Sequence, residues 1–197
     1  LYQEYTKNKP KINTPNTQNS AYKKIGNTLK TTKLPMRLDQ PTKGDGNCGP
    51  EALLQQMKRL IIKTYLQDRK IPIPADQQSL RTTIKEFAIK KAENTQQIKE
   101  YKENYELCHP EESWAELWQR LEQSGTWIDA HWIQLTAWYL MIDILIMAES
   151  ATEEFPLITI SGNYLNENTG SPGPNMLLGY NNGLHYQSLL PLDEDDS

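Results

Sequence analysis

The spacing of apolar positions divides the chain into a polar beginning, a helical middle and a β-rich end. Residues 1–33 are rich in Asn, Thr and Lys and carry few apolar positions. We therefore expect a flexible arm there, with no more than a short helix around residues 20–28. From Leu34 onward, apolar residues recur at regular intervals, which predicts that the folded domain begins at this point.

Two helical segments are predicted in the first part of the domain. The first begins at Pro50, whose missing N–H would have no partner in a first turn, and ends near Gln67. Its apolar face is formed by Leu53, Met57, Leu60 and Ile61. The second helix is expected to begin after an N-cap at Ser79, and Tyr101 and Tyr105 either extend it or belong to a further helix.

Two more helices and then several strands are predicted from residue 113 onward. Ser113 and Glu116 have the spacing of a capping box, and Asp129 is expected to cap the next helix. The turn at 181–183, Asn-Asn-Gly, is typical of a β-hairpin because Asn and Gly tolerate positive φ. The predicted strands are 142–147, 157–161, 176–180 and 184–190. Helices followed by a small sheet indicate the α+β class.

Composition and charge exclude several classes of protein. The chain has 197 residues, of which 37% are hydrophobic and two are Cys. That length suits one domain with a tail, two cysteines do not form a disulfide scaffold, and no apolar run approaches the ~20 residues of a membrane span. The chain starts at Leu1, which leads us to expect a fragment of a longer protein.

The charge is strongly polarised along the chain. Residues 1–42 carry a net charge of +6, whereas the remainder carries −10, and no Lys or Arg follows Arg120. A basic arm can bind nucleic acid, but this one lacks dense basic clusters and interleaved aromatics, so a solvated arm is the preferred interpretation. The acidic second half favours a basic protein partner over a polyanion.

The segment at 44–50, Gly-Asp-Gly-Asn-Cys-Gly-Pro, is the first candidate for chemistry. Its glycines allow a tight loop whose backbone N–H groups point inward. Cys48 follows at the start of the predicted helix, where the helix dipole lowers the pKa of a thiol. A reactive thiolate is the working form of a nucleophilic cysteine.

His185 is the candidate base for that nucleophile. Strand side chains alternate, so His185 and Gln187 lie on one face, and Gln187 could fix the tautomer of the ring. His109 and His131 are rival bases in a loop and on a helix, and Cys108 is interpreted as structural or incidental. The Cys and His residues show no metal-ligand spacing, so we expect no metal and no cofactor.

Three segments resemble motifs of the ovarian tumour (OTU) family of cysteine proteases, which are deubiquitinases. Residues 43–57, KGDGNCGPEALLQQM, resemble the D-G-N-C box of the family. Residues 125–147, GTWIDAHWIQLTAWYLMIDILIM, are similar to its middle motif, and residues 177–191, LLGYNNGLHYQSLLP, are similar to its H-Y-x-S hairpin. The three occur in the family's order, and the resemblance covers 34–192.

The resemblance implies an α+β, papain-like OTU fold with a small central sheet between helical layers. The catalytic domain would span 34–192, with the arm 1–33 and the acidic tail 193–197 outside it. The family's nucleophile falls on Cys48, its general base on His185, and the Asp that shapes the oxyanion loop on Asp45. The oxyanion-hole loop would be Gly46, Asn47 and Cys48.

Two positions depart from the family pattern. Members commonly place Asp, Asn or Glu two residues after the His, whereas this chain has Gln187, which supplies no charge. If Gln187 is too long for this role, another polar group orients His185. Many members have large residues after the nucleophile, and the smaller Gly49 and Pro50 are expected to open the site.

The function implied is a cysteine isopeptidase that removes ubiquitin or a ubiquitin-like protein from lysine side chains through a Cys48 thioester. Candidate substrate contacts are Glu149, Glu153, Glu154, Glu167 and Tyr186. The alternatives are a ubiquitin-binding module with weak or no catalysis and a nucleic-acid binder that uses the basic arm. We expect a monomer with no cofactor and no membrane contact. Reduced thiols predict the cytosol, or a host's cytosol if the protein comes from a pathogen.

Overall fold

The computed structural model describes residues 15–164, 173–181 and 185–195. These residues form seven helices and five strands. The helices are α1 (Pro15–Thr32), α2 (Cys48–Lys58), α3 (Leu60–Asp68), α4 (Gln77–Asn94), α5 (Gln96–Cys108), α6 (Trp114–Glu122) and α7 (Ala130–Leu140). The strands are β1 (Met36–Leu38), β2 (Ile144–Met147), β3 (Ile158–Ile160), β4 (Met176–Asn181) and β5 (His185–Pro191).

The five strands form one mixed sheet in the order β1-β5-β4-β2-β3. Strands β2 and β4 run parallel, and the other neighbouring pairs are antiparallel. Side chains of β4 alternate between two apolar clusters. Leu177 belongs to the cluster that contains α1, and Met176 and Leu178 belong to the larger cluster with α2–α7. The sheet therefore lies between helical layers, which confirms the predicted α+β class.

Helix α1 packs on one face of the sheet. Ala21, Ile25 and Leu29 lie one turn apart on one side of the helix, and all three are buried. Ile25 and Leu29 share a cluster with Leu177 and Leu189 of the sheet. From residue 20 onward the chain is therefore not the flexible arm that we expected, because its apolar stripe is buried against the sheet. Residues 1–14 lie outside the described ranges.

The predicted N-caps are confirmed in two of three cases, whereas the helix predicted to begin at Pro50 begins two residues earlier, at Cys48. Ser113 and Glu116 form the reciprocal capping box, and the side chain of Asp129 accepts a hydrogen bond from the backbone N–H of Trp132. The prediction of Ser79 as an N-cap is wrong. The cap is Asp76, which accepts from the backbone N–H of Ser79, because Asp76 is the extended residue that ends the preceding loop.

The first predicted helix is divided in two at Arg59. That residue has φ −58° and ψ 133°, which is extended backbone, so the chain restarts as α3 with a different rotation. Leu60 and Ile61, predicted on the buried face, are 66% and 54% exposed, and Ile62 is buried in their place. Thr95 likewise separates α4 from α5, so Tyr101 and Tyr105 lie on the separate helix α5.

Several predicted features lie outside the described residues. They are most of the hairpin turn at 181–183, the middle of the loop before β4 and the last two residues of the acidic tail. Among the helices that are described, none combines the length and apolar character needed to cross a membrane.

Candidate active site

Cys48 and the start of strand β5, which carries His185, lie where helix α2 packs on that strand. Cys48 is the first residue of α2, His185 is the first residue of β5, and each is 1% exposed. The backbone N–H of Tyr186 donates to Cys48 Sγ at 3.5 Å. The thiol therefore lies against the backbone of the residue that follows His185.

One edge of the His185 ring contacts two neutral oxygen atoms. Its Nε2 lies 3.1 Å from the Thr42 hydroxyl oxygen and 3.4 Å from Gln187 Oε1. Its Nδ1 is buried and has no hydrogen-bond partner among the described residues. The ring thus has one nitrogen held by the protein and one available for chemistry.

The amide of Gln187 is held in one orientation by its surroundings. Its Nε2 donates to the carbonyl oxygens of Gln40 at 2.8 Å and Ser188 at 3.1 Å. Its Oε1 accepts from the backbone N–H of Thr42 at 3.3 Å. Because carbonyl oxygens only accept hydrogen bonds, the amide nitrogen must face them, which places the oxygen toward His185. Gln187 therefore reaches the ring from two residues away and is not too long to do so.

The loop that precedes Cys48 is tightly held. Gly46 has φ +84°, and a Cβ at this residue would lie 2.0 Å from the carbonyl oxygen of Gly125, so only glycine fits. The carboxylate of Asp45 accepts from the backbone N–H of Asn47 at 3.2 Å. The Asn47 side-chain oxygen accepts from the backbone N–H of Gly125 at 2.7 Å. This loop is thus anchored to the turn between α6 and α7.

A buried arginine lies behind the same loop. Arg81 of α4 is fully buried, and its guanidinium donates to the carbonyl oxygens of Gly46 at 3.0 Å, Leu121 at 2.6 Å and Thr126 at 2.6 Å. It also bonds Asn47 Oδ1 at 3.2 Å. Burial lowers the pKa of Arg81 to about 10, so it remains a cation at neutral pH. One side chain therefore ties the loop to two segments around the turn.

The resting thiol is protonated, contrary to the expectation from its place at a helix start. Burial raises the pKa of Cys48 to about 11, and the backbone N–H groups of Tyr186 and Gly49 only partly oppose this effect. Burial also lowers the pKa of His185. Desolvation disfavours both charged forms, so the resting pair is a thiol beside a neutral imidazole.

Gly49 does not open the site, contrary to expectation. A Cβ at this residue would lie 2.3 Å from the side chain of Ile128, which therefore occupies the space left by the small residue. Tyr186 is also buried, at 6% exposure, and its ring packs against Tyr180 with centroids 4.6 Å apart. The Tyr186 side chain offers little surface to a substrate, and its backbone is the part that contacts the thiol.

Three of the four predicted acidic contacts lie on one exposed connection. Glu149, Glu153 and Glu154 are exposed between β2 and β3, whereas Glu167 lies outside the described residues. Strand β2 runs parallel to β4, and Met147 pairs with Gly179. Two residues further along β4, Asn181 pairs with His185. The connection therefore leaves the sheet at the same end as His185, about 10 Å away across two strand spacings.

The rival bases belong to a different cluster of side chains. His131 bonds the Tyr101 hydroxyl through Nδ1 at 2.6 Å, and its ring lies 5.9 Å from that of His109 in an aromatic cluster between α5 and α7. Cys108 is the exposed last residue of α5. None of the hydrogen bonds described for these residues reaches Cys48 or His185.

Sequence reasoning missed Thr42 and Arg81. Thr42 precedes the Gly-rich loop and lies outside any regular element, so no periodicity marks it. Arg81 shares a helical face with Leu80 and Ile84. A buried charge is uncommon and would have drawn attention, but the sequence alone does not show that Arg81 is buried.

Comparison with known proteins gives structural relatives only. No family model matches the sequence, and no curated protein matches it. The fold is similar to the OTU domain of OTUD1, with a TM-score of 0.54 and 16% identity over 88% of this chain and 96% of that one. It is also similar to an OTU deubiquitinase from Wolbachia pipientis wMel, with a TM-score of 0.52 and 15% identity over 83% and 93% of the two chains.

A third similar structure is the OTU of Hazara virus, which was solved bound to ubiquitin. Its TM-score is 0.52, with 12% identity over 81% of this chain and 84% of that one. The chain therefore has an OTU-like fold, as its three sequence motifs led us to expect.

Proposed function

We propose that this protein is a cysteine isopeptidase that removes ubiquitin or a ubiquitin-like protein from lysine side chains. The observation that carries the proposal is the Cys48 thiol held against the Tyr186 backbone beside His185, whose ring contacts Gln187 and Thr42. The OTU-like fold supports it, since the similar proteins include a deubiquitinase and a domain bound to ubiquitin. The expected compartment is the cytosol.

The reaction begins from the neutral pair. As the substrate's C-terminal Gly carbonyl approaches, His185 Nδ1 takes the Cys48 proton and the thiolate attacks the carbonyl carbon. The tetrahedral intermediate collapses as the imidazolium returns this proton to the lysine amine, which leaves. His185 then removes a proton from water, and the resulting hydroxide attacks the thioester carbon. The C–S bond breaks, the carboxylate is released, and the imidazolium returns its proton to the Cys48 sulfur.

The oxyanion is stabilised by backbone N–H groups at the start of α2. The N–H of Cys48 is the first candidate, because the first N–H groups of a helix have no carbonyl partner within that helix. The N–H of Asn47 is engaged by Asp45. Asp45 therefore acts by shaping the loop, and the Asn47 donor becomes available only if Asp45 releases it.

The exposed acidic connection is the proposed contact for the modifier. Glu149, Glu153 and Glu154 lie at the sheet end nearest His185, and the C-terminal tail of ubiquitin contains arginine. Opposite charges at the rim of an interface mainly raise the association rate. Phe155, 73% exposed on the same connection, adds apolar surface.

The deciding experiment uses ubiquitin with a thiol-reactive group at its C-terminus. We expect a covalent adduct of one ubiquitin that is retained in Cys108→Ser and lost in Cys48→Ala. Cleavage of a lysine-linked diubiquitin would then establish the isopeptidase reaction. A folded wild-type protein that forms no adduct would contradict the proposal for ubiquitin, and the same probe built on other modifiers would test the wider class.

A ubiquitin-binding module without catalysis is the second candidate. The raised pKa of Cys48 and the uncharged partner of His185 favour it, because both reduce the driving force for forming an ion pair. It predicts saturable ubiquitin binding with no adduct, and binding that is unchanged in Cys48→Ala.

A further inference from the structure

We propose that Thr42 is a positioning residue that sets the tautomer of His185, so that Nδ1 is the basic nitrogen. This inference rests on the proposed function for its catalytic consequence, although the tautomer itself does not depend on any substrate. Thr42 is 6% exposed and contacts both His185 and Tyr186.

The argument is a count of protons. A threonine hydroxyl has one proton, and Thr42 donates it to the carbonyl oxygen of Tyr186 at 2.7 Å. At His185 Nε2, 3.1 Å away, the same hydroxyl oxygen can then only accept. Nε2 must therefore carry the ring proton.

The second neighbour of Nε2 makes the same demand. Gln187 Oε1 is 3.4 Å from Nε2 and cannot donate, since the amide nitrogen is held by backbone carbonyls on its other side. Two acceptors thus face one nitrogen. In a neutral imidazole the other nitrogen, Nδ1, then keeps its lone pair.

The arrangement also explains how the site works without a carboxylate beside the ring. When Nδ1 accepts a proton, the positive charge is shared with Nε2–H, which already points at two oxygen dipoles. Thr42 is in turn fixed through its own backbone N–H, which bonds Gln187 Oε1 at 3.3 Å. Thr42 and Gln187 therefore replace the single Asp, Asn or Glu that the family motif places two residues after the His.

The test is the tautomer of His185 measured by long-range proton–nitrogen NMR correlation on histidine-labelled protein at pH 8. We expect an Nε2–H ring in the wild type and in Thr42→Ser. In Thr42→Val the fraction of protein with an Nδ1–H ring should be larger than in the wild type. Thr136→Val is the matched control, because Thr136 is also buried and, within the part of the chain that the structure describes, its hydroxyl bonds only its own helix, at the carbonyl oxygen of Trp132. An Nδ1–H ring in the wild type overturns the proposal, whichever variants fold.

The catalytic consequence is tested separately with the ubiquitin probe. Thr42→Val is expected to slow adduct formation about tenfold at saturating probe, with an unchanged half-saturating concentration, and Thr42→Ser is expected to restore the rate. An unchanged rate together with an unchanged tautomer refutes the positioning role. If the wild type forms no adduct but has the Thr42-dependent Nε2–H ring, the proposed function fails and the positioning role stands.

Discussion

Removing the guanidinium of Arg81 should destabilise the fold and displace the loop before Cys48. In Arg81→Met the chain keeps an unbranched side chain of similar length, but three backbone carbonyls lose their donor, those of Gly46, Leu121 and Thr126. A buried acceptor left without a partner costs about 1–3 kcal/mol. The variant no longer has to bury a cation, which offsets part of that loss. We expect a net destabilisation of about 3 kcal/mol.

Urea unfolding measures this loss directly. With a slope of about 2 kcal/mol per molar urea, the midpoint should fall by roughly 1.5 M. Arg120→Met is the matched control: the Arg120 side chain is 48% exposed and pairs with Glu112, so its loss should cost less than about 1 kcal/mol. If the two variants shift the midpoint equally, the carbonyl cluster around Arg81 contributes nothing special and the reasoning is refuted.

Three further predictions concern titratable and charged groups. In a Cys108→Ser background, alkylation of Cys48 by iodoacetamide should rise continuously above pH 7, because burial raises the thiol pKa to about 11, and a plateau below pH 8 would contradict this. Burial lowers the pKa of both His185 and His131 in the folded state below the ordinary value of 6.5. As the pH falls below 6.5, the unfolded chain therefore takes up protons before the folded one, and the urea midpoint should fall. In Gln187→Glu a carboxylate oxygen would face the carbonyls of Gln40 and Ser188, so the variant should unfold at lower urea than wild type at pH 7, and equal or greater stability would be evidence against the assigned amide orientation.

The sequence predicted most reliably those features that depend on neighbouring residues. The capping box at Ser113 and the cap at Asp129 are local hydrogen bonds, and both are present. The alternation of a strand was enough to place His185 and Gln187 on one face, where their side chains meet at 3.4 Å. Each of these predictions needs only a few consecutive residues.

Features that depend on packing between distant segments were not predictable in the same way. Nothing in the local sequence indicates that Arg59 adopts extended backbone, yet this single residue rotates Leu60 and Ile61 into solvent. The sequence also suggested a thiol pKa lowered by the helix dipole. The opposite shift follows from burial at the contact between α2 and β5, which only the tertiary structure reveals.

The candidate site as a whole is built from neutral groups and has no charged partner for His185 among the described residues. Burial holds Cys48 and His185 in their uncharged forms, and the ring is oriented by a hydroxyl and an amide, Thr42 and Gln187. The nearby buried cation, Arg81, is bonded to backbone carbonyls that shape the loop. Charge separation between thiol and imidazole is therefore costly in the resting site. Under the proposed function, a substrate carbonyl consumes the thiolate as it forms, so Cys48 should resist alkylation by iodoacetamide and should react faster with a ubiquitin-based probe, whose binding brings a reactive group to the sulfur.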